Sequence, residues 1–267
     1  MIKIGVDEAG YGPLLGPLTS CAYLTSNEFS FDIKDSKKLF QNKKFKKLET
    51  ACLEYLPSFD NSCFFKNRTS YLNEPWHRYL NSNENDDKLF LENSHSKVIL
   101  RSLTPHYFNF KVKQGLNKAE ILLGLIEKNL NELMQSIPLE QEVSIFCDRL
   151  GGRKMYSKVL ETWGANIHKK EENQTLSSYE VTWFNKKVNI SFMVKGDTLK
   201  HEIAAASCFA KLFREYSMLE FNQWWNNVLP SIKPTAGYYT DGKRFIKDIE
   251  LYLKQHNIST ELLERAL

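Results

Sequence analysis

A short apolar run that stops at two carboxylates, Gly5-Val6-Asp7-Glu8-Ala9-Gly10-Tyr11-Gly12-Pro13, constrains this chain more than any other stretch. Ile2, Ile4 and Val6 predict a strand buried on at least one face, so the acids fall where that strand leaves its sheet. Gly10 and Gly12 allow a sharp turn and leave no Cβ to hold a ligand's backbone away. Adjacent acids in a regular strand point to opposite faces, so both can serve one site only where the strand ends or bends. The glycines and Pro13 suit such a bend. The same residues also describe a plain solvated strand end, and taken alone they do not separate the two readings.

A chain of 267 residues can bury a substantial core. Apolar residues at 42% and charged residues at 25% exclude overall disorder. No apolar run approaches the roughly 20 residues of a membrane helix. The acids at Asp7 and Glu8 break any secretory signal, so a soluble, cytoplasmic, monomeric enzyme is the expectation. Cys21, Cys52, Cys63, Cys147 and Cys208 include no CxxC pair, which argues against a disulfide framework or a thiolate zinc site; they read as buried thiols. A net charge of +4 is too small to announce a nucleic-acid partner by itself.

Leu18–Leu24 predicts a second strand and Phe29–Ile33 a third, an antiparallel start. Lys34-Asp35-Ser36-Lys37-Lys38-Leu39, with Lys43, Lys44, Lys46 and Lys47 beyond it, is suited to a phosphate backbone. It is equally suited to a solvated helix face. Residues 57–113, with the polar loop Asn81–Asp87 and the aromatics Trp76, Tyr79, Tyr107, Phe108 and Phe110, read as an insertion on the main fold. From Asn117, the stripe Leu122, Ile126, Leu130, Leu133 and Ile137 predicts a helix ended by Pro138. Val143–Cys147 predicts a strand running into Asp148, followed by a flexible basic loop, Arg149 to Lys154. Tyr179–Phe184 and Val188–Val194 predict a hairpin turning at Asn185-Lys186-Lys187, and its second strand leads to Gly196-Asp197. The Ala-rich run from Glu202 predicts a helix able to lie close to a sheet, with Asp197 near its N-terminus. His201 reads as a surface or capping residue, since no partner His or Cys stands at ligand spacing.

Asp7, Glu8, Asp148 and Asp197 are thus four acids at element ends. With no His or Cys cluster, such a set suits oxygen-preferring Mg²⁺ or Mn²⁺ rather than zinc. Two such ions about 3.5–4 Å apart can activate a water and stabilise a leaving oxygen in phosphodiester hydrolysis. Composition alone does not select this chemistry from other acidic sites.

The motifs DEAGYGP, DSKKL, GD before HEIAAASCFAK, and GYYT resemble ribonuclease HII in content and order. The resemblance covers about the first fifty residues, the helix from Asn117, the strand to Asp148 and most of 192–245. It implies an α/β, ribonuclease H-like fold: a central mixed β-sheet flanked by helices, with a helical C-terminal part. Residues 1–220 would form the catalytic domain, with 57–113 inserted, and 221–267 a helical region packed on it. The implied activity is cleavage of the RNA strand of RNA/DNA hybrids, or of ribonucleotides embedded in duplex DNA, with two Mg²⁺ or Mn²⁺ ions and 5'-phosphate ends.

Carried over by position, the family's metal-binding acids fall on Asp7, Glu8, Asp148 and Asp197. Asp148 departs from the pattern, since Arg149 follows it where the family has Gly. The family's Gly-Arg-Gly, which contacts the ribose 2'-hydroxyl, corresponds to Gly10-Tyr11-Gly12, and Tyr supplies no guanidinium fork. Strict preference for an RNA-to-DNA junction is therefore in question. Tyr238 matches the tyrosine that stacks on the junction sugar, unless a one-residue slip makes it Tyr239, and Lys37 matches a phosphate contact. A non-catalytic nucleic-acid-binding protein or a structure-specific DNase on the same fold are the alternatives.

Overall fold

In the computed structural model, which describes residues 1–41, 45–62 and 87–266, the strands form one mixed sheet. They are β1 Ile2–Ala9, β2 Leu18–Thr25, β3 Asp87–Glu92, β4 Ser96–Leu103, β5 Val143–Asp148, β6 Asn166–Glu172, β7 Leu176–Trp183 and β8 Lys186–Met193. Across the sheet the order is β3-β4-β2-β1-β5-β8-β7-β6. β1, β5 and β8 run parallel to one another, and the other neighbours pair antiparallel. The helices are α1 Ser36–Leu39, α2 Phe45–Tyr55, α3 Pro105–Lys113, α4 Lys118–Ser136, α5 Ser157–Thr162, α6 His201–Val228 and α7 Tyr239–Gln255.

Alternation along the central strands sends side chains to two cores. Ile4 and Val6 of β1, Ala22 and Leu24 of β2, and Val143, Ile145 and Cys147 of β5 pack with the apolar stripe of α4. Cys21 and Tyr23 point the other way, onto Ala204, Ala205, Cys208 and Phe209 of α6. β2 is buried along its whole length, as a strand covered on both faces must be. α6 lies so close to β1 that a Cβ on Gly5 would sit 1.9 Å from the carbonyl carbon of Glu202. The small side chains of Ala204, Ala205 and Ala206 make that approach sterically feasible, and only glycine fits beneath it.

A third cluster joins Leu14 and Leu15, which follow the glycine turn, to Met218, Phe221 and Trp225 of α6 and to Phe245, Ile249 and Leu253 of α7. The backbone N–H groups of Leu14 and Leu15 both donate to the Gly237 carbonyl, at 2.7 and 3.0 Å. The loop ahead of α7 is thereby tied to the chain just after Pro13. Cys21, Cys52, Cys147 and Cys208 are buried, and Cys63 lies outside the described residues.

Several expectations need correction. Phe29–Ile33 is not a strand: β4 takes the edge of β2 it would have used, and Phe29 and Phe31 instead pack on Tyr55 and His201. His201 is accordingly an aromatic-cluster residue rather than a surface one. Within 57–113, the part from 87 onward is no insertion, because β4 pairs along the whole of β2 and belongs to the central sheet. Trp76, Tyr79 and the loop to Asp86 lie outside the described residues. The boundary expected at 220/221 falls inside α6, which runs unbroken from the sheet into the third cluster. The hairpin turns at Phe184-Asn185, both at positive φ, and Lys186 already belongs to β8.

Candidate active site

Asp7 lies two residues beyond Gly5 on the same face of β1, so its side chain meets α6, where Ser207 hydrogen-bonds to it. Parallel pairing of β1 with β5 ends at Val6–Cys147, and Asp7 and Asp148 follow directly on those two residues. Two carboxylates thus stand at neighbouring strand ends. Glu8 belongs to the last residues of β1, where only the β2 side is still paired. It need not enter the opposite core, and it lies within electrostatic reach of Asp148 and Lys37.

β8 delivers the fourth acid. Beyond Met193, Lys195 takes a left-handed conformation and Gly196–Thr198 forms a short 3-10 turn leading to α6. The Gly196 N–H donates to Asp148 Oδ1 at 2.7 Å, which couples this turn to the end of β5. Asp197 is buried, and its Oδ2 accepts from Lys37 Nζ at 3.2 Å. Asp35 caps α1 by accepting from the Lys37 and Lys38 N–H groups, which fixes the turn that carries Lys37.

Electrostatics follow from this crowding. Burial, then Glu8 and Asp148, push the Asp7 carboxyl well above the usual aspartate range, against the Ser207 hydrogen bond. Burial and Asp148 push Glu8 up to about 7. Burial and Asp197 raise Asp148, opposed by the Gly196 N–H and Lys37. Burial works against the charge on Lys37, but Asp197, Asp7 and Asp148 outweigh it and hold its pKa above the ordinary lysine value.

The donors fit a hard divalent cation in kind, being carboxylate oxygens that carry more negative charge than Lys37 alone balances. Among the described residues, no group of three or more His, Cys, Asp and Glu side chains is arranged to hold a metal ion as it stands. The oxygens are otherwise engaged: Asp7 with the Glu8 N–H, Asp148 with Gly196, and Asp197 with Lys37. Each of these bonds uses one lone pair of a two-oxygen carboxylate, so an ion can be held beside the N–H donors, and only the Lys37 ammonium competes with it for charge.

Around the acids, Gly10 has φ +85° and a Cβ there would meet the Pro17 carbonyl at 2.3 Å, whereas a Cβ on Gly12 would meet nothing within 4 Å. The ring of Tyr11 packs on the α4-side core, and its hydroxyl is raised by burial and by Glu8, against Arg153. Tyr238 caps α7 at 54% exposure. Lys43 and Lys44 of the basic segment lie outside the described residues. Arg149 is not part of a free basic loop: it is buried, donating to the Asn173 and Gln174 carbonyls and to Ser177 Oγ. Sequence reasoning missed Ser207 and Ser36, because their use depends on α1 and α6 meeting β1.

The mixed sheet flanked by helices, with a helical C-terminal part, is a ribonuclease H-like fold. Residues 4–256 match the family model for Ribonuclease HII, and the chain belongs to that family. Ribonuclease HII of Methanocaldococcus jannaschii is 47% identical over 49 residues, which are 16% of this chain and 21% of that relative. The RNase HII of Archaeoglobus fulgidus, solved in complex with PCNA, shares the fold with a TM-score of 0.53 at 14% identity, over 98% of this chain and 91% of that one. Bst-RNase HIII, solved in complex with Mn²⁺, gives a TM-score of 0.51 at 12% identity, over 100% of this chain and 66% of that one. No described helix is long and apolar enough to cross a membrane.

Proposed function

We propose that this chain is a divalent-metal-dependent endoribonuclease that cuts the RNA strand of RNA/DNA hybrids, or ribonucleotides embedded in duplex DNA. The observation that carries the reading is the meeting of Asp7 and Asp148 at adjacent strand ends, with Asp197 brought to them by the Gly196–Asp148 hydrogen bond. Asp7, Glu8, Asp148 and Asp197 would hold two Mg²⁺ or Mn²⁺ ions, and Mn²⁺ is the metal in the Bst-RNase HIII complex. When bound, the ions supply charge stabilisation and a more acidic water for in-line displacement at phosphorus. The new P–O bond comes from water, the P–O3' bond breaks, and the O3' leaves with a proton, giving a 5'-phosphate and a 3'-hydroxyl.

The protein's own groups then have separable tasks. Ser207 and the Glu8 N–H orient the Asp7 carboxylate. Lys37, at 77% side-chain exposure, can exchange Asp197 for a substrate phosphate when an ion takes over that carboxylate. The Gly10-Tyr11-Gly12 turn beside the acids, open to a ligand at Gly12, would receive the substrate backbone, and Tyr238 offers an exposed ring to a sugar. All four acids come from one chain, so the reading needs no second copy, and a cytoplasmic setting belongs to it.

The test is cleavage of a labelled RNA/DNA hybrid, a duplex with one embedded ribonucleotide and an all-DNA duplex, each with Mg²⁺ and with Mn²⁺. Cleavage of either ribonucleotide-containing substrate but not of DNA is expected, and Asp7→Asn should abolish it while leaving the fold intact. Cleavage of DNA alone, or of nothing with either metal, contradicts the reading.

A further inference from the structure

Lys118 stands at the first helical position of α4, and its ammonium lies 4.4 Å from the centroid of the Tyr11 ring. The first turn of α4 is pinned by a capping box. The Asn117 side chain accepts from the Ala119 and Glu120 N–H groups, and the Glu120 carboxylate accepts from the Asn117 N–H at 2.8 Å. The Ala119 and Glu120 N–H groups are therefore occupied, Glu120 is turned back on its own cap, and what this corner presents is the lysine side chain.

The placement is costly in the resting protein. No carboxylate among the described residues pairs with Lys118. Burial, and then the nearby Arg265 guanidinium, lower its pKa. Arg265 is itself buried under the same turn, donating to the Gly10 carbonyl at 2.6 Å and to the Pro13 carbonyl. Arg153 lies within electrostatic reach of Tyr11 from a third element. Lys118 thus sits on the Tyr11 ring itself, Arg265 holds the carbonyls of Gly10 and Pro13 on either side of it, and Arg153 and Glu8 act on its hydroxyl electrostatically. An aromatic face holds an ammonium without neutralising it, so the full charge remains available to an arriving anion.

We propose that Lys118, seated on Tyr11, is a substrate-binding residue that contacts a backbone phosphate of the nucleic acid as it passes the acid cluster. The proposal deepens the reading above and rests on it. It gives Tyr11 a definite task, which is to be the seat of a cation borne by another element.

The test is equilibrium binding of a labelled RNA/DNA hybrid over a series of KCl concentrations with EDTA present, alongside steady-state cleavage with Mg²⁺ or Mn²⁺. Losing one phosphate contact should lower the slope of log K against log salt by about 0.9 for Lys118→Gln. The same variant should raise KM several-fold with kcat little changed, the pattern of a lost uniform binding contact. Lys118→Arg should retain wild-type behaviour. Tyr11→Ala should reproduce Lys118→Gln, and the double variant should add nothing, because the seat and the cation act as a unit. Tyr11→Arg in the Lys118→Gln background should restore the slope, since a guanidinium on residue 11 covers the same spot. A folded Lys118→Gln protein with unchanged slope and KM overturns this inference alone. A wild-type protein that neither binds nor cuts the hybrid or a duplex with one embedded ribonucleotide overturns it together with the proposed function.

Discussion

The hydroxyls of Ser36 and Ser207 lie 2.9 Å apart, joining α1 to α6 directly behind the acid cluster. Both residues are buried, and Ser207 also hydrogen-bonds to Asp7. Ser36 is followed by Lys37, whose ammonium reaches Asp197. One short chain of polar contacts therefore orients the first acid of the cluster and the turn carrying its cation.

Replacing Ser207 with Ala should remove a hydrogen bond to a charged group, worth about 1.5–3 kcal/mol. Felt mainly in the transition state, this corresponds to a fall in kcat of about tenfold or more, with KM nearly constant. Steady-state cleavage of a labelled hybrid measures it. A tenfold rise in KM at unchanged kcat would instead assign Ser207 to substrate binding.

Metal-free protein should lose stability as pH rises. Glu8 is raised from 4.5 to about 7, and Asp7 and Asp148 are raised as well. Over the range in which these groups stay protonated in the folded state and ionised in the unfolded state, folding binds protons, so unfolding free energy declines as pH rises. Thermal unfolding in EDTA should show a lower midpoint at pH 8 than at pH 5.5. Glu8→Gln should flatten the profile, and Mg²⁺ or Mn²⁺ at pH 8 should raise the wild-type midpoint. A midpoint that climbs steadily over this range would mean that the acids are not charge-frustrated in the folded protein.

Gly5→Ala places a methyl group 1.9 Å from the Glu202 carbonyl carbon and 2.0 Å from its oxygen. These are backbone atoms in the first turn of α6, so the helix must move off the strand. The cost should reach or exceed the roughly 1–3 kcal/mol typical of overpacking. Denaturant unfolding should show the loss, and cleavage should fall further than stability does, because Ser207 moves away from Asp7 with the helix.

Tyr238 and Tyr239 are 54% and 62% exposed, so neither ring should matter to stability. Tyr238→Ala should cost the equivalent of one stacking contact, about 1–3 kcal/mol, in cleavage of a duplex with one embedded ribonucleotide. Tyr239→Ala should be close to wild type. The reverse ranking would shift the substrate-facing position by one residue.

The acids were legible because each sits in a local pattern: Asp7 and Glu8 at the end of an apolar run, Asp148 after a second, Asp197 between a strand and a small-residue helix. What escaped reading depends on contacts distant in sequence. Phe29, Phe31 and Ile33 alternate as a strand does, yet the edge of β2 they would need is occupied by β4. β6 has mostly exposed residues, Asn166–Glu172, and pairs on one side only, so it carries no apolar signature. The seats of Ser207 against Asp7 and of Lys118 on Tyr11 each join residues more than a hundred positions apart, and no local pattern encodes them.

The most direct measurement is a crystal of this protein soaked in Mn²⁺ and examined by anomalous diffraction. The account predicts manganese bounded by Asp7, Glu8, Asp148 and Asp197, with the Lys37 ammonium displaced from Asp197. Manganese bound elsewhere, with Lys37 and Asp197 still paired and the four acids vacant at saturating metal, would contradict it.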